Sequence, residues 1–369
     1  MLVDQKMEKE IVKNQSDFVI FTEGYTQIHL IKSEDVEEHD SVFWLYKIGV
    51  PMLMFLTILS FALNGFILLA ILLRTNFLSV RSSTRYLLLI TSLVASDTIT
   101  SVLLGGGIFC GSYLPIVFDI ILPMCVMLAI ECVRLSIVLT TVLHLLLMVL
   151  LHTAAVCFPL ALKTVIRTSV VIHLILVMWL VPLAVLVTVF SSFPDQLFSS
   201  EYCADISLLQ TRTFRAFFVA AIFTPLAIII TTYFLFYHLL SKRSKLSRSN
   251  RTIQRQNRRA ARITLLILLS CIICWLPASI THLVICPEGC IYSSMDINPQ
   301  NGFIIHASGN FMLILKSIIN PLIFAMRHKE VHRDVLRLLR CKAKKKKTVS
   351  VLRNQQENNE CRRILSHKL

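Results

Sequence analysis

The chain has 369 residues, of which 55% are hydrophobic and only 16% are charged, and its formal net charge is +15. So few charged residues beside so many apolar ones exclude an ordinary soluble domain. The composition predicts a protein embedded in the lipid bilayer. In such a protein the excess of Lys and Arg indicates topology and contact with membrane lipid, and no nucleic-acid partner is expected.

Residues 1–46 are predicted to form an extracellular N-terminal tail. Residues 1–13 alternate charged and apolar positions, so we expect no cleavable signal peptide, and the first membrane helix would direct insertion. Asn14 begins an Asn-Gln-Ser sequon and is the predicted glycosylation site. Acidic residues collect just before the first helix: Glu34, Asp35, Glu37, Glu38 and Asp40.

Seven apolar stretches follow, each long enough for a membrane-spanning helix of roughly 20 residues. Backbone groups in hydrocarbon must be hydrogen-bonded within their own segment, so the predicted fold class is all-α, a seven-transmembrane-helix bundle. Residues 47–326 form this predicted domain, and residues 327–369 form a short amphipathic eighth helix and a basic cytoplasmic tail. The predicted helices are Ile48 to Leu73, Tyr86 to Ile108, Met124 to Val156, Val170 to Ser191, Phe214 to Leu240, Ile263 to Val284 and Phe303 to Met326.

The orientation follows from the position of the basic residues. Residues 241–262, between the fifth and sixth predicted helices, are rich in Lys and Arg and contain no acid. The connections after the first and third helices are also basic. The positive-inside rule therefore places the N-terminus outside the cell and the C-terminus in the cytoplasm.

Individual polar, aromatic and proline residues punctuate the predicted helices at characteristic places. The sixth helix contains Cys274-Trp275-Leu276-Pro277, and the seventh contains Asn320-Pro321. With the residues given below, these motifs resemble the rhodopsin-like (class A) G-protein-coupled receptor family over nearly all of the membrane region. The resemblance implies a plasma-membrane receptor that rearranges its helices around Trp275 and Pro277. The matching residues of the earlier helices are Asn64, Asp97, Trp179, Pro225 and Tyr233.

Asp97 is the most conspicuous charge in a predicted membrane helix. An aspartate at the centre of such a helix costs roughly 2.5–3.5 kcal/mol on insertion scales, so it is a functional candidate. The resemblance implies that this acid binds a sodium ion that stabilises the inactive state. Lys316 stands where the family has a neutral residue, and a structural ion pair with Asp97 is the open alternative. The polar residues that match the family's sodium pocket are Thr141, Ser317 and Asn320.

The switch region departs from the family pattern. Leu151-His152-Thr153 replaces Asp-Arg-Tyr, and a neutral imidazole cannot reproduce the contacts of a guanidinium with a G protein. Phe324 replaces a tyrosine, and Cys271 replaces an aromatic residue. The alternative to a signalling receptor is therefore a receptor-like scaffold or decoy. The resemblance implies an interface for a heterotrimeric G protein or arrestin at His152, Tyr233, Arg258 and Arg259.

Polar residues near the outer ends of helices three, six and seven form the predicted ligand site. Glu131 and Arg134 share one face of the third helix. Arg134 stands where amine receptors have an aspartate, so it would repel a protonated amine and would bind a carboxylate or phosphate through two hydrogen bonds. The alternative is that Glu131 simply neutralises Arg134. His282, His306 and Asn310 would complete the pocket.

Five of the cysteines receive a specific interpretation. The resemblance implies a disulfide between Cys125, at the start of helix three, and Cys203, in the loop before helix five. Cys286 and Cys290 are candidates for a second, small ring in the oxidising exterior. Cys341, after an amphipathic segment, is the predicted palmitoylation site, and a free thiol is the alternative.

Other classes of protein are less well supported. We find no catalytic constellation and no metal-ligand spacing, so neither an enzyme nor a cofactor is predicted; Gly105-Gly106-Gly107 lacks the Lys-Ser or Lys-Thr of a phosphate-binding loop. The intramembrane charges would also suit a seven-helix transporter, which predicts internal repeats, and we detect none. The predicted partners are an extracellular ligand, a heterotrimeric G protein or arrestin, and membrane lipid.

Overall fold

A computed structural model describes residues 36–74, 84–118, 120, 122–157, 167–246, 251–286, 290–293 and 297–327. These residues form a bundle of long α-helices, as the apolar stretches predict. The long helices are α1 (Val36–Arg74), α2 (Thr84–Ile108), α3 (Met124–Cys157), α4 (Thr168–Ser192), α5 (Arg212–Leu246), α6 (Arg251–Val284) and α7 (Pro299–Arg327).

Within the described residues, six helices are long and apolar enough to cross a membrane, and α6 adds a shorter apolar stretch, Leu269–Val284. The six spans are Phe43–Leu72, Leu87–Tyr113, Met124–Leu151, Thr168–Ser192, Arg212–Leu235 and Gln300–Ile323. Each stretch matches one predicted helix. The all-α membrane bundle expected from the sequence is therefore the observed fold class.

Several helices continue beyond their apolar stretches. α1 begins at Val36, well before the predicted start at Ile48, and α6 begins at Arg251 rather than at Ile263. The α6 extension is polar, whereas the α1 extension is polar from Glu37 to Ser41 and largely apolar from Val42 to Tyr46. Because helical hydrogen bonds do not require an apolar environment, a helix begun in the membrane can continue into water on residues with good helix propensity.

The packing places α3 in the middle of the bundle. Of its apolar span 61% is buried, against 22% for α4, which lies at the periphery. α3 packs against α2, α4 and α5, whereas α1 packs against α2 and α7. Large apolar side chains such as Phe55, Phe217 and Phe234 are exposed on the outer surface of the bundle, as expected where lipid replaces water as the solvent.

A second apolar cluster fills the space between α1, α2 and α7. The rings of Tyr46 and Phe303 lie 4.5 Å apart between their centroids, close to Val50 and Ile108. At Ile108 the backbone of α2 changes to a π-helical segment, Phe109–Tyr113, which continues into the short helix Leu114–Phe118. Prolines lie inside α1, α4, α5, α6 and α7, where each removes a backbone hydrogen bond and allows a kink.

Two disulfides mark one end of the bundle, which we call the disulfide end. Cys125 at the start of α3 is bonded to Cys203 in the loop between α4 and α5, with 5.1 Å between their Cα atoms. Cys286 is bonded to Cys290 in the loop between α6 and α7. That loop also contains two short parallel strands, β1 (Ile285–Cys286) and β2 (Tyr292–Ser293), in which Ile285 is paired with Tyr292.

The loop between α4 and α5 is compact. It contains the 3₁₀ turns Leu197–Ser199 and Glu201–Cys203 and the short helix Ser207–Gln210. Leu197 donates its backbone N–H to the Asp205 carbonyl at 2.6 Å, and its side chain is buried. The disulfide from Cys203 thus fastens a folded segment, rather than an open loop, to α3.

Candidate functional site

A cavity with about 1230 Å³ of empty space, including its open mouth, lies in the half of the bundle nearest the disulfide end. It extends from Ile285, beside the Cys286 disulfide, to Trp275 on α6. Much of the wall is apolar, with Tyr46 and Phe303 on one side and Phe218 on another. The polar lining consists of Ser112, Arg134, Arg215, Ser279, Thr281, His282, His306 and Asn310.

Four of the five residues predicted to bind a ligand meet at this cavity. Arg134 lines it from α3, His282 lines it from α6, and His306 and Asn310 line it from α7. The two histidines and the asparagine are partly buried. Glu131 is the exception: it is absent from the lining and contacts Arg134 instead.

The Arg134 guanidinium forms a forked ion pair with Glu131. Nε donates to Oε2 at 2.7 Å, and Nη2 donates to Oε1. Both residues are buried, at 7% and 4% relative exposure. The sequence left two possibilities: Arg134 binds an anionic ligand, or Glu131 neutralises Arg134. The observed geometry is that of the neutralising pair. A ligand at Arg134 therefore meets a guanidinium whose charge is already balanced by a carboxylate.

Arg215 is a second guanidinium of the cavity, and no pattern in the sequence distinguishes it as a site residue. Its side chain is 2% exposed. Nε donates to the Leu209 carbonyl at 3.3 Å, and Nη1 donates to the carbonyls of Ile285 at 2.6 Å and His282 at 3.4 Å. Two of these acceptors lie in the last turn of α6 and just beyond its end, where carbonyls lack helical partners. Arg215 therefore links α5 to the end of α6.

Beneath the cavity, α2 and α7 are joined at Asp97. Lys316 places Nζ 2.6 Å from Oδ1 of Asp97, and Asn320 donates from Nδ2 to Oδ2 at 2.8 Å. Asp97 and Asn320 are fully buried, and Lys316 is 3% exposed. On α1, Asn64 donates to the backbone carbonyl of Ser317 at 2.9 Å. Three helices thus meet through polar groups.

These residues do not fit a sodium ion at Asp97. Each carboxylate oxygen accepts from a nitrogen donor, and the Lys316 ammonium already supplies a positive charge at 2.6 Å. Thr141 donates to the carbonyl of Ile137 at 2.9 Å and lies 3.3 Å from the hydroxyl of Ser96. Of the two alternatives left open by the sequence, the geometry is that of the ion pair.

Trp275 lies between the cavity and the Asp97 centre. Its indole is 5% exposed and forms part of the cavity wall. The Lys316 Nζ lies 5.9 Å from the centroid of its ring, within reach of a cation–π interaction. Pro277 follows in the same helix, and Pro321 follows Asn320 in α7. A change at the cavity wall can therefore reach the ion pair through a single side chain.

A separate hydrogen-bonded chain joins α2, α3 and α4. Trp179 donates from Nε1 to the Ser92 hydroxyl at 2.9 Å, and that hydroxyl lies 2.7 Å from Nε2 of His144. The other nitrogen, Nδ1, lies 2.8 Å from the Thr140 carbonyl. A carbonyl can only accept, so Nδ1 donates and Nε2 accepts from Ser92. Both imidazole nitrogens have partners, which assigns His144 a packing role.

The predicted signalling residues lie towards the opposite end of the bundle. Tyr233 is buried on α5. His152 belongs to α3, and Arg258 and Arg259 belong to α6, but their side chains are outside the described part of the chain. The glycosylation site Asn14, the palmitoylation site Cys341 and the eighth helix also lie outside the described residues.

The bundle of membrane-spanning helices, its internal cavity and its disulfide-fastened loop define a multi-pass membrane protein of receptor type. The family model for the 7 transmembrane receptor (rhodopsin family) matches residues 63–324, and the chain belongs to this family. The family consists of receptors rather than enzymes, and its members in general have extracellular ligands and G-protein or arrestin partners. A search of curated proteins finds no significant match.

Proposed function

We propose that this chain is a plasma-membrane receptor that binds an extracellular ligand in the cavity and transmits the change to a heterotrimeric G protein. The observation that carries the proposal is the position of Trp275, which contacts both the cavity and, through Lys316, the centre at Asp97. Pro277, two residues after Trp275, interrupts the helical hydrogen bonds of α6 and allows the helix to bend there. Ligand contact at Trp275 would then move α6 relative to α7.

The disulfide end is proposed to face outward. Disulfides persist in oxidising compartments, and both disulfides described lie at this end. The basic residues 241–246 and 251–262 belong to the end of α5 and the beginning of α6, at the opposite end of the bundle. Both considerations agree with the positive-inside rule.

We propose an anionic ligand with an apolar body. The described lining of the cavity includes the guanidiniums of Arg134 and Arg215, and no carboxylate. Since Glu131 balances Arg134, the proposal assigns the ligand's acidic group to the side of the cavity formed by Arg215, His282 and His306. Apolar side chains form much of the remaining wall, so a small hydrophilic anion would fill the cavity poorly.

One feature favours a second candidate function, a receptor-like scaffold or decoy that does not signal alone. His152 stands where the family's arginine contacts the G protein. A neutral imidazole provides neither the fixed charge nor the fork of donors of a guanidinium. Binding at the outer surface would then persist without activation of a G protein.

Basal G-protein activation in cells distinguishes the two functions. Wild type, His152→Arg and the control His238→Arg, which adds arginine at an exposed position of α5, are compared at equal surface expression with reporters for each Gα class. A basal signal from wild type supports the signalling receptor. A silent wild type with a signal restored by His152→Arg, but not by His238→Arg, supports the scaffold. Absence of a basal signal from all three proteins, together with failure to recruit arrestin, contradicts signalling through the end of the bundle that contains His152.

A further inference from the structure

The Asp97 carboxylate is fastened to α7 by two donors that lie one helical turn apart. Lys316 and Asn320 are four residues apart and so share one face of α7. Lys316 binds Oδ1 at 2.6 Å and Asn320 binds Oδ2 at 2.8 Å. Both oxygens of the acid are thus engaged by α7.

The positive charge of this centre belongs to the chain itself. A buried carboxylate needs a nearby positive charge or it is driven towards its neutral form. An ammonium on a side chain is present at the site irrespective of the salt around the protein. A free cation at Asp97 would lie within a few ångströms of Lys316, and the repulsion between like charges is strong where water is excluded.

We propose that Lys316 is a tethered counterion that occupies a latent cation site, so that the stability of the protein is independent of sodium. The proposal concerns the packing of α2 against α7 and does not depend on the identity of a ligand. Its sharpest consequence is a gain of function. Removing the ammonium, while keeping the acid, should convert the centre into a site for a monovalent cation.

The oxygens for such a site are already present beside the ion pair. Ser317 Oγ, Asn320 Oδ1 and Asn64 Oδ1 are buried and have no hydrogen-bond partner among the residues that the structure describes. Ser317 and Asn320 share a turn of α7 with Lys316, and Asn64 is bonded to the Ser317 carbonyl. Buried polar atoms are usually satisfied. Together with the freed Asp97 oxygen, they form a set of oxygen donors of the kind that hard cations prefer.

Lys316 also connects the Asp97 centre to α6. Its Nζ lies 5.9 Å from the ring centroid of Trp275. A sodium ion bound in place of the ammonium would not be covalently attached to α7. With the lysine, the contact between α2, α6 and α7 therefore does not depend on a bound ion.

The test measures the thermal unfolding midpoint of purified protein in sodium chloride and in choline chloride at equal ionic strength. Wild type should have the same midpoint in both salts. Lys316→Met should have a lower midpoint in choline and a midpoint that rises by several degrees as sodium is added, with saturation, as ligand binding to the folded state requires. Lys47→Met, which removes an exposed lysine from α1, should behave as wild type.

A double variant separates cation binding from general repair of the fold. Asp97→Asn with Lys316→Met has neither charge and should fold without responding to sodium. A sodium-dependent midpoint in wild type would overturn the proposal, as would folded Lys316→Met that ignores sodium. Should Lys316→Met fail to fold in either salt, Lys316→Ser, whose short side chain leaves the Asp97 oxygen free, is measured in its place. Indifference of that variant to sodium would also overturn the proposal.

Discussion

Glu131 accepts hydrogen bonds from Nε and Nη2 of Arg134, along one edge of the guanidinium and within one turn of α3, and both side chains are almost completely buried. Removal of either charge alone would leave the other charge buried, poorly solvated and without this partner. The pair therefore serves the packing of α3 first, and it leaves Arg134 with a reduced capacity to attract an anion.

Glu131→Gln is expected to destabilise the protein by about 3–5 kcal/mol, the usual cost of removing one partner from a buried pair. The double variant Glu131→Gln with Arg134→Met should recover most of this loss, because neither charge remains. Thermal unfolding of the purified variants measures both effects. A double variant that is no more stable than Glu131→Gln would show that the pair is not the source of the loss.

The preference of the cavity for an acid can be tested with probes of matched shape. An arylalkyl carboxylate should raise the unfolding midpoint of the protein, and the amine of the same skeleton should not, because the described lining has guanidiniums and no carboxylate. Arg215→Gln should weaken binding of the acid by about 1.5–3 kcal/mol, the usual value of a hydrogen bond to a charged group, or about ten- to a hundredfold in affinity.

Two further variants control this experiment. Arg212→Gln removes an exposed guanidinium three residues earlier in α5 and should leave binding unchanged. Arg215→Lys keeps the charge but loses the fork, so an intermediate affinity is expected. Equal stabilisation by the acid and the amine would exclude a cavity selective for anions.

The origin of Arg215's position illustrates what the sequence could not predict. Its partners are backbone carbonyls at residues 209, 282 and 285, and no side-chain pattern marks a carbonyl that has lost its helical partner. The sequence instead places Arg215 beside Arg212, at the polar flank of an apolar stretch, where arginine is common. The contact of the Arg215 guanidinium with these backbone carbonyls depends on how the helices pack, so it is visible only in the structure.

The helices themselves were predictable because the relevant property is local. A run of apolar residues of sufficient length predicts a membrane span without knowledge of its neighbours. The same argument fails at helix ends: Val36 and Arg251 begin helices in polar sequence, where hydropathy no longer reports helical structure. At Asp97 the sequence identified the participants but could not choose between a sodium pocket and the Lys316 ion pair, because that choice depends on distances across two helices.

The two disulfides should differ in their contribution to stability because they close loops of very different length. Cys125 and Cys203 are 78 residues apart, whereas Cys286 and Cys290 are 4 apart. On the chain-entropy model, loss of the first costs about 4.5 kcal/mol and loss of the second about 2 kcal/mol. Unfolding of Cys125→Ser with Cys203→Ser, against Cys286→Ser with Cys290→Ser, measures the difference. The reverse order of stability would contradict the loop-length argument.

Adjacent glycines of α2 offer a matched test of helix packing. A Cβ atom at Gly105 would lie 2.6 Å from Oγ1 and 3.2 Å from Cβ of Thr57, whereas a Cβ atom at Gly106 would meet nothing within 4 Å. Thr57 is a short, β-branched side chain with little freedom to move, and its hydroxyl donates to the Met54 carbonyl at 2.7 Å. Close approach of α1 to α2 therefore requires glycine at position 105.

Gly105→Ala is expected to destabilise the protein by about 1–3 kcal/mol through overpacking. Gly106→Ala should be neutral or stabilising by up to about 1 kcal/mol, because alanine favours the helix over glycine and meets no obstacle. The difference between the unfolding midpoints of the two variants isolates the contact with Thr57, since both changes add the same methyl group to the same helix. Thr57→Ala removes Oγ1 but keeps Cβ, so partial restoration of Gly105→Ala by this change would identify the threonine hydroxyl as the main obstacle, and equal midpoints for the two single variants would refute it.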